Sequence, residues 1–202
     1  MKRVTFIMAA LLCCVSLAQA QSDTQSYPGN LHNRGESRIL LWDGAAGKAV
    51  AEAAVSYGRP EWKDQYGAPG ALDQMTKGKV WRAGKNFWSF LDTNVPLNFG
   101  GQEIPVGMYY LVVKRSADGN DWTLSFVDPD DIRSKRMDAS EADARSAELS
   151  ILYSAPLTFK ARNDTTRLLE MELMGYPNDV SKAIFAIRWG KFELSVPVEA
   201  TL

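Results

Sequence analysis

Three cations close to aromatic residues form the candidate ligand site of this sequence. Arg59 follows the end of an apolar segment, Arg82 directly follows Trp81, and Lys85 lies three residues further along the chain. A guanidinium is a planar fork of donors that matches two oxygens of one anion at once. The group therefore predicts binding of a carboxylate, a sulfate or a sugar acid.

A structural role is the competing interpretation, and it is favoured for Arg82. Its side chain could satisfy loop carbonyls or pair with Asp92 or Asp73, which would pin a long loop to the rest of the domain. Half-buried arginines in loops are usually paired anchors. Asp92 and Tyr109 carry the same two interpretations, and they complete the predicted ligand-binding set.

The tryptophans offer a second kind of site, an aromatic platform that stacks sugars or other flat ligands. The alternative is that such large side chains fill the core. Trp122 and Trp189 share strand parity with apolar neighbours, which predicts core positions for both. Trp62 and Trp81 lie in the irregular region 57–84 and stay candidates for the platform. The six tryptophans are Trp42, Trp62, Trp81, Trp88, Trp122 and Trp189.

Residue types and motifs argue against several chemistries. The only histidine, His32, lies in a polar N-terminal segment, so neither a histidine-based triad nor a histidine-rich zinc site is expected. No Gly-x-Ser-x-Gly elbow or phosphate-binding glycine loop occurs. The run Asp128-Pro129-Asp130-Asp131 lacks the glycine and the distal glutamate of a calcium loop and predicts a turn. We predict no metal and no cofactor, whereas carboxylates that converge from distant strands leave hydrolysis open.

The first twenty residues have the pattern of a secretory signal peptide. Two basic residues precede an apolar run at 4–17, and the segment closes with Ala18-Gln19-Ala20. This run is shorter than the roughly 18 residues of a transmembrane helix and ends in a small-x-small processing site. We expect cleavage near Ala20-Gln21 and a periplasmic or secreted protein with no transmembrane segment.

The remaining chain is mildly acidic and free of cysteine. Residues 1–20 carry two of the 23 Lys+Arg and no Asp or Glu, so residues 21–202 have 21 cations against 24 anions and a net charge of −3. That charge predicts no nucleic-acid partner. Cys13 and Cys14 lie within the apolar run, where lipidation of either would leave an unusually short apolar stretch, so simple cleavage is favoured.

Alternating apolar residues predict strands along most of residues 38–202. Leu169, Met171 and Leu173 share one face, and the even positions from Phe192 to Val198 share another. Gly190 predicts a tight turn that would make residues 182–198 a hairpin.

Two further turns are predicted upstream. Asp118-Gly119 predicts a second hairpin between the segments 108–114 and 121–127. Gly100-Gly101 turns the chain after a short strand at 95–99.

These eight to ten short strands predict an all-β fold, a single-domain antiparallel β-sandwich resembling a jelly roll. Residues 21–37 are polar and predict a flexible lead-in to a domain at 38–202. The one helix predicted is Ser140–Leu149, capped by Ser140 or Asp138, within a polar loop insertion at 129–147.

Three short motifs resemble a known family. They are Tyr57-Gly58-Arg59-Pro60, Lys79-Val80-Trp81-Arg82-x-Gly84 and Pro105-x-Gly107-x-Tyr109. Together they resemble the bacterial domain of unknown function 2911 family over roughly residues 36–198. The resemblance implies an exported protein whose biochemistry is unassigned. Phe87 stands where the family usually has a glutamate, so a site that depends on that acid does not carry over.

The sequence favours an exported binding module for a small ligand or an envelope component. A carboxylate-based hydrolase and a structural envelope protein are the two alternatives, and enzymatic activity is not favoured. A pocket that joins Arg59, Trp81, Arg82 and Asp92 would favour binding, whereas two carboxylates in one cleft would favour catalysis.

Overall fold

The computed structural model describes residues 33–201, and ten strands form one antiparallel sheet within that range. The predicted signal peptide, Cys13, Cys14, His32 and most of the predicted lead-in lie outside the described residues. The first strand begins four residues before the predicted start of the domain at residue 38. The strands are β1 (Arg34–Asp43), β2 (Lys48–Gly58), β3 (Val80–Trp81), β4 (Ser89–Thr93), β5 (Leu97–Phe99), β6 (Gln102–Ile104), β7 (Gly107–Arg115), β8 (Trp122–Val127), β9 (Ile151–Tyr176) and β10 (Asp179–Ala200).

The prediction of an all-β fold is confirmed, although two strands are far from short. The sheet order is β1-β2-β4-β7-β8-β9-β10-β5-β6, and β3 pairs with β7 beside this path. Strand β9 has 26 residues and β10 has 22. The first part of β9, residues 151–157, pairs with β8, and residues 158–176 pair with β10. This one strand therefore joins the two halves of the sheet.

Helix is limited to short pieces in the described range. The α-helices are α1 (Ala71–Thr76) and α2 (Pro129–Ser134), and neither is long or apolar enough to cross a membrane. The predicted helix at 140–149 is wrong, because two short 3₁₀ turns, Ala139–Glu141 and Ser146–Glu148, occupy that interval. Asp138 caps the first turn as predicted. Between the turns, the Asp143 carboxylate accepts a hydrogen bond from the Val80 N–H (2.9 Å), a tertiary contact that competes with regular helix.

The predicted hairpin at 182–198 is also wrong, because β10 runs straight through Gly190. The glycine has φ +60° and pairs with Thr166, and the register shifts on both sides of it. The residues of β10 that belong to the main core occupy odd positions from Ala183 to Ile187 and even positions from Phe192 to Val198. A bulge inserts an extra residue and reverses the alternation, as a turn would. The sequence pattern alone does not distinguish the two.

The other two glycine turns are confirmed. Strands β7 and β8 form a hairpin in which Arg115 faces Trp122 across the turn at Asp118-Gly119. Strands β5 and β6 pair across Gly100-Gly101, with Phe99 opposite Gln102.

The segment after β2 and strand β1 bond to the edge of β9 that β8 leaves uncovered, and we call this contact the closure at β9. The Leu169 N–H donates to the Pro60 carbonyl (3.0 Å), and the Trp62 N–H donates to the Arg167 carbonyl (2.6 Å). Further along, the Leu173 N–H donates to Ser37 Oγ of β1 (2.9 Å). Because buried backbone groups must be paired, these bonds satisfy the part of β9 that β8 leaves uncovered.

The sheet encloses one main core and carries a smaller one on the outer side of β7 and β8. The main core joins both halves of the sheet, with Leu91, Phe126 and Phe185 almost fully buried. Alternation along β7 directs Leu111 and Val113 into this core and Val112 into the other. The smaller core forms beneath the insertion after β8 and contains Trp88, Val112, Val127, Ile132, Met137, Ala139, Ala142 and Leu149.

Candidate functional site

An aromatic cleft of about 440 Å³ opens where α1, β3 and β10 meet. This volume lies in the range of small-molecule sites, about 300–1,000 Å³. This site is called the aromatic cleft below. It is lined by Tyr66, Leu72, Met75, Thr76, Lys79, Val80, Trp81, Trp122, Asp143, Trp189 and Phe192.

Two stacked indoles, those of Trp81 and Trp189, form one wall of the cleft. Their ring centroids are 5.8 Å apart and the planes differ by 20°. Trp189 is held in place because its Nε1–H donates to the Pro60 carbonyl (3.0 Å) and the buried Trp62 packs edge-on against it at 5.1 Å. Trp62 in turn lies over Gly190, where only a hydrogen leaves room for its ring. The bulge and the closure at β9 therefore position this wall.

A second aromatic group continues the surface at the base of the cleft. Trp122 and Phe192 are buried, and Phe159 stacks on Trp122 at 6.0 Å with planes 9° apart. The Arg115 guanidinium lies 5.1 Å from the Trp122 ring centroid and forms an ion pair with Asp73 at 2.6 Å. Arg115 thus contacts both Trp122 and Asp73, and it helps to hold Trp122 in place at the cleft.

Two charged side chains that line the cleft, Lys79 and Asp143, have atoms that can form further hydrogen bonds. Lys79 Nζ donates to the Gln74 carbonyl (2.9 Å), and no carboxylate among residues 33–201 forms an ion pair with it. Asp143 uses Oδ1 to accept from Val80, while its Oδ2 has no donor in the described part of the chain. One ammonium and one carboxylate oxygen can thus bond a polar ligand edge.

Of the six residues predicted to bind a ligand, Trp81 lines the aromatic cleft. Arg59 donates from Nε to the Leu169 carbonyl (3.1 Å) and lies 3.7 Å from Glu170, so it anchors the closure at β9. Arg82 donates to the Asn86 carbonyl (3.4 Å), which matches the structural alternative of a bond to a loop carbonyl. Neither arginine shares the cleft with Trp81.

The other three predicted residues lie elsewhere. Lys85 is exposed, and its backbone packs on Gly58. Asp92 is exposed on β4 and lines a shallow polar depression with Arg38. Tyr109 is buried and donates to the Pro105 carbonyl (2.9 Å), and burial raises the pKa of its phenol. The structure therefore does not bring the predicted set together.

Sequence reasoning missed Trp189, which was predicted to fill the core. It is half-buried and has one face toward the cleft. One feature of the sequence could have indicated this position. Trp189 precedes Gly190, where the core-facing residues of β10 change from odd to even positions.

Two of the family-like motifs meet in a backbone contact rather than in a pocket. Gly58 packs against the backbone of Lys85, and Gly84 packs against Gly58 and Ser89. The Ser89 hydroxyl, fully buried, donates to the Ala83 carbonyl (2.8 Å). These glycines allow the loop before β4 to lie directly on the end of β2.

The described residues offer no obvious metal centre. Within 33–201, no three His, Cys, Asp or Glu side chains lie close enough to hold a metal ion together. Some carboxylates in this range pair with arginines, as Asp73 does, and others cap turns, as Asp138 does.

Fold and cleft together define an all-β protein with a solvent-open aromatic cleft on its closed sheet. The chain belongs to the family described as Protein of unknown function (DUF2911), whose model matches residues 45–198. The resemblance seen in the motifs is thereby confirmed. No curated protein and no solved structure was found that matches the chain.

Proposed function

We propose that this protein is a binding protein for a neutral saccharide and that the aromatic cleft is its site. The observation that carries the proposal is the Trp81–Trp189 stack, which forms one wall of a cleft of about 440 Å³. A pyranose ring has an apolar C–H face that packs on an indole and a rim of hydroxyls that both donate and accept hydrogen bonds. Lys79 and Asp143 supply one donor group and one acceptor at that rim.

A neutral ligand suits the charges of the cleft better than an acidic one. The lining has one cation and one anion, Lys79 and Asp143, so neither sign of charge dominates. Arg115, the other cation nearby, already has Asp73 as a partner. A sugar acid was predicted because Arg59 and Arg82 could bind its carboxylate. Neither arginine lines the aromatic cleft.

Binding is favoured over hydrolysis by the number of carboxylates. A glycosidase of the usual kind needs two carboxyl groups about 5–10 Å apart on either side of the scissile bond. Asp143 is the one carboxylate among the described residues that line the cleft.

Trp81→Ala is expected to weaken saccharide binding about two- to tenfold. A contact with an aromatic face contributes about 0.5–1.5 kcal/mol, and 1.4 kcal/mol is a factor of ten. Residues 21–202 would be titrated calorimetrically with glucose, galactose, xylose, N-acetylglucosamine and their disaccharides. Trp42→Ala is the matched control, since Trp42 is 61% exposed and does not line the cleft. Equal binding by both variants, or no binding of any saccharide by the unaltered protein, contradicts the proposal and favours a structural role.

We also propose that the protein is exported, on the basis of the residue pattern at 1–20. The full chain expressed in a bacterial host is expected in the periplasmic fraction with Gln21 as its first residue, read by mass spectrometry. Ala20→Tyr, which places a bulky residue at the processing site, is expected to retain the leader. Recovery of the uncleaved chain in the cytoplasm would refute export, and a lipid-bearing Cys13 or Cys14 would replace simple cleavage by lipidation.

A further inference from the structure

A second pocket, of about 450 Å³, lies beside the start of β1 and shares no lining residue with the aromatic cleft. We call it the Arg34 pocket. Its walls come from β1, β2, β4 and β7 and from the segment that carries the cap at Asp138. It is lined by Arg34, Ser56, Phe87, Trp88, Phe90, Tyr110, Met137, Asp138 and Ala139.

The guanidinium of Arg34 has no counter-charge in the described part of the chain. Nη2 donates to Ser56 Oγ (3.0 Å), whereas Nη1 is buried and has no hydrogen-bond partner there. No carboxylate of residues 33–201 forms an ion pair with it, and burial lowers the pKa of its guanidinium. Buried charges in proteins are normally paired, because an unpaired one keeps its full desolvation penalty. Arg34 as a whole is half-buried, but its Nη1 is buried without a partner, and an anion that enters the pocket would supply one.

Asp138, the one acid among the described residues that line the pocket, already has hydrogen-bond partners. Asp138 accepts from the Ser140 N–H (2.8 Å) and from Ser140 Oγ (2.5 Å), and these bonds, with the nearby charge of Arg82, lower its pKa. Its negative charge stays at the pocket wall and disfavours a dianion such as phosphate or sulfate. A single negative charge is the better match to Arg34.

Most of the remaining wall is aromatic, and Met137 and Ala139 add aliphatic surface, so the body of a ligand would be apolar. Trp88 and Tyr110 stack at 5.2 Å with planes 11° apart, and both line the pocket. Phe90 lies beside them, and Phe87 is 61% exposed at the rim. An apolar or aromatic group that enters here would be removed from water against these rings.

We propose that the Arg34 pocket binds a monocarboxylate with an apolar body, the carboxylate on the Arg34 guanidinium and Ser56 and the body against Trp88 and Phe90. The site is independent of saccharide binding in the aromatic cleft. Its ligand class is that of aromatic and medium-chain aliphatic acids.

The test is calorimetric titration of residues 21–202 with benzoate, phenylacetate and hexanoate, with benzamide, inorganic phosphate and sulfate as comparison probes. Carboxylates are expected to bind, and Arg34→Gln is expected to weaken them at least tenfold while Trp81→Ala leaves them unchanged. Arg38→Gln is the matched control, because Arg38 lies on the same strand with its side chain 51% exposed and paired with Glu36. Arg34→Lys keeps the positive charge but loses the planar, two-pronged guanidinium. Its affinity for carboxylates is expected to lie between those of Arg34→Gln and the unaltered protein.

A second measurement keeps the test valid if Arg34→Gln folds poorly. For the unaltered protein, benzoate affinity is expected to fall as the pH drops below the pKa of benzoic acid, while benzamide shows no such change. The proposal is overturned if no carboxylate binds, if Arg34→Gln and Arg38→Gln have the same effect, or if phosphate binds as well as benzoate.

Discussion

Replacing Gly190 with alanine is expected to lower the free energy of unfolding by about 2–5 kcal/mol. The backbone there has φ +60°, a left-handed conformation that costs a residue with a Cβ about 1–2 kcal/mol. The new methyl would also overlap the buried ring of Trp62, and overpacking of this kind costs about 1–3 kcal/mol. Urea denaturation of residues 21–202 measures the difference. Saccharide titration is expected to show weaker binding as well, since Trp62 supports Trp189.

Gly175→Ala provides the control for this prediction. Gly175 lies on β9 opposite Ala183 of β10, and a Cβ there would meet no atom within 4 Å. Its stability is expected to stay within about 1 kcal/mol of the unaltered protein, because loss of a glycine also restricts the unfolded chain. If Gly190→Ala proved no less stable than Gly175→Ala, Trp62 would not pack on the bulge.

Gly58→Ala is expected to destabilise the protein by about 3 kcal/mol or more. A Cβ at this position would overlap the carbonyl oxygen of Lys85, which is backbone and cannot move away by a change of rotamer. The loop that carries Arg82 would have to lift from β2, and the buried hydrogen bond from Ser89 to Ala83 would be strained. Losses of this size arise from a short list of causes, of which a buried backbone clash is one. Thermal and urea denaturation would measure it.

Gly44→Ala is the comparison for Gly58→Ala. Gly44 lies in the exposed turn between β1 and β2, and a Cβ there would contact nothing within 4 Å. Its effect is expected to be within about 0.5 kcal/mol, the usual range for surface positions. An equally small effect of Gly58→Ala would show that the loop before β4 is not seated on β2.

The strands that the sequence predicted well are those with one face in the core. Leu169, Met171 and Leu173 all face the core in β9, and the residues between them are partly exposed, as the alternating pattern predicted. The stretch of β9 from residue 151 to residue 162 was missed because most of its side chains, such as Leu152 and Phe159, stay substantially exposed. Period-two patterning records burial on one face, so a strand without a fully buried face gives a weak signal.

The candidate site was only partly predictable for a different reason. Trp81, one of the predicted ligand-binding residues, lines the aromatic cleft, but its stacking partner Trp189 comes from β10, near the other end of the chain. Grouping Arg59, Arg82 and Lys85 by nearness in the chain implied a convergence that strand pairing does not produce. Arg34 was passed over because residues 21–37 looked like a polar lead-in, whereas β1 begins at that arginine.

The closure at β9 has a consequence for the order of folding. The contact between Arg59 and Leu169 joins residues 110 positions apart, whereas β9 and β10 are linked by a two-residue turn. Contacts between distant residues form against a larger loop entropy and slow the folding of β proteins. The β9–β10 ribbon is therefore expected to form early and the closure late. Because the Pro60 carbonyl that holds Trp189 belongs to the closure, the aromatic cleft is expected to be complete only when folding ends. A nascent or partly folded chain would then lack the site that we propose for saccharides.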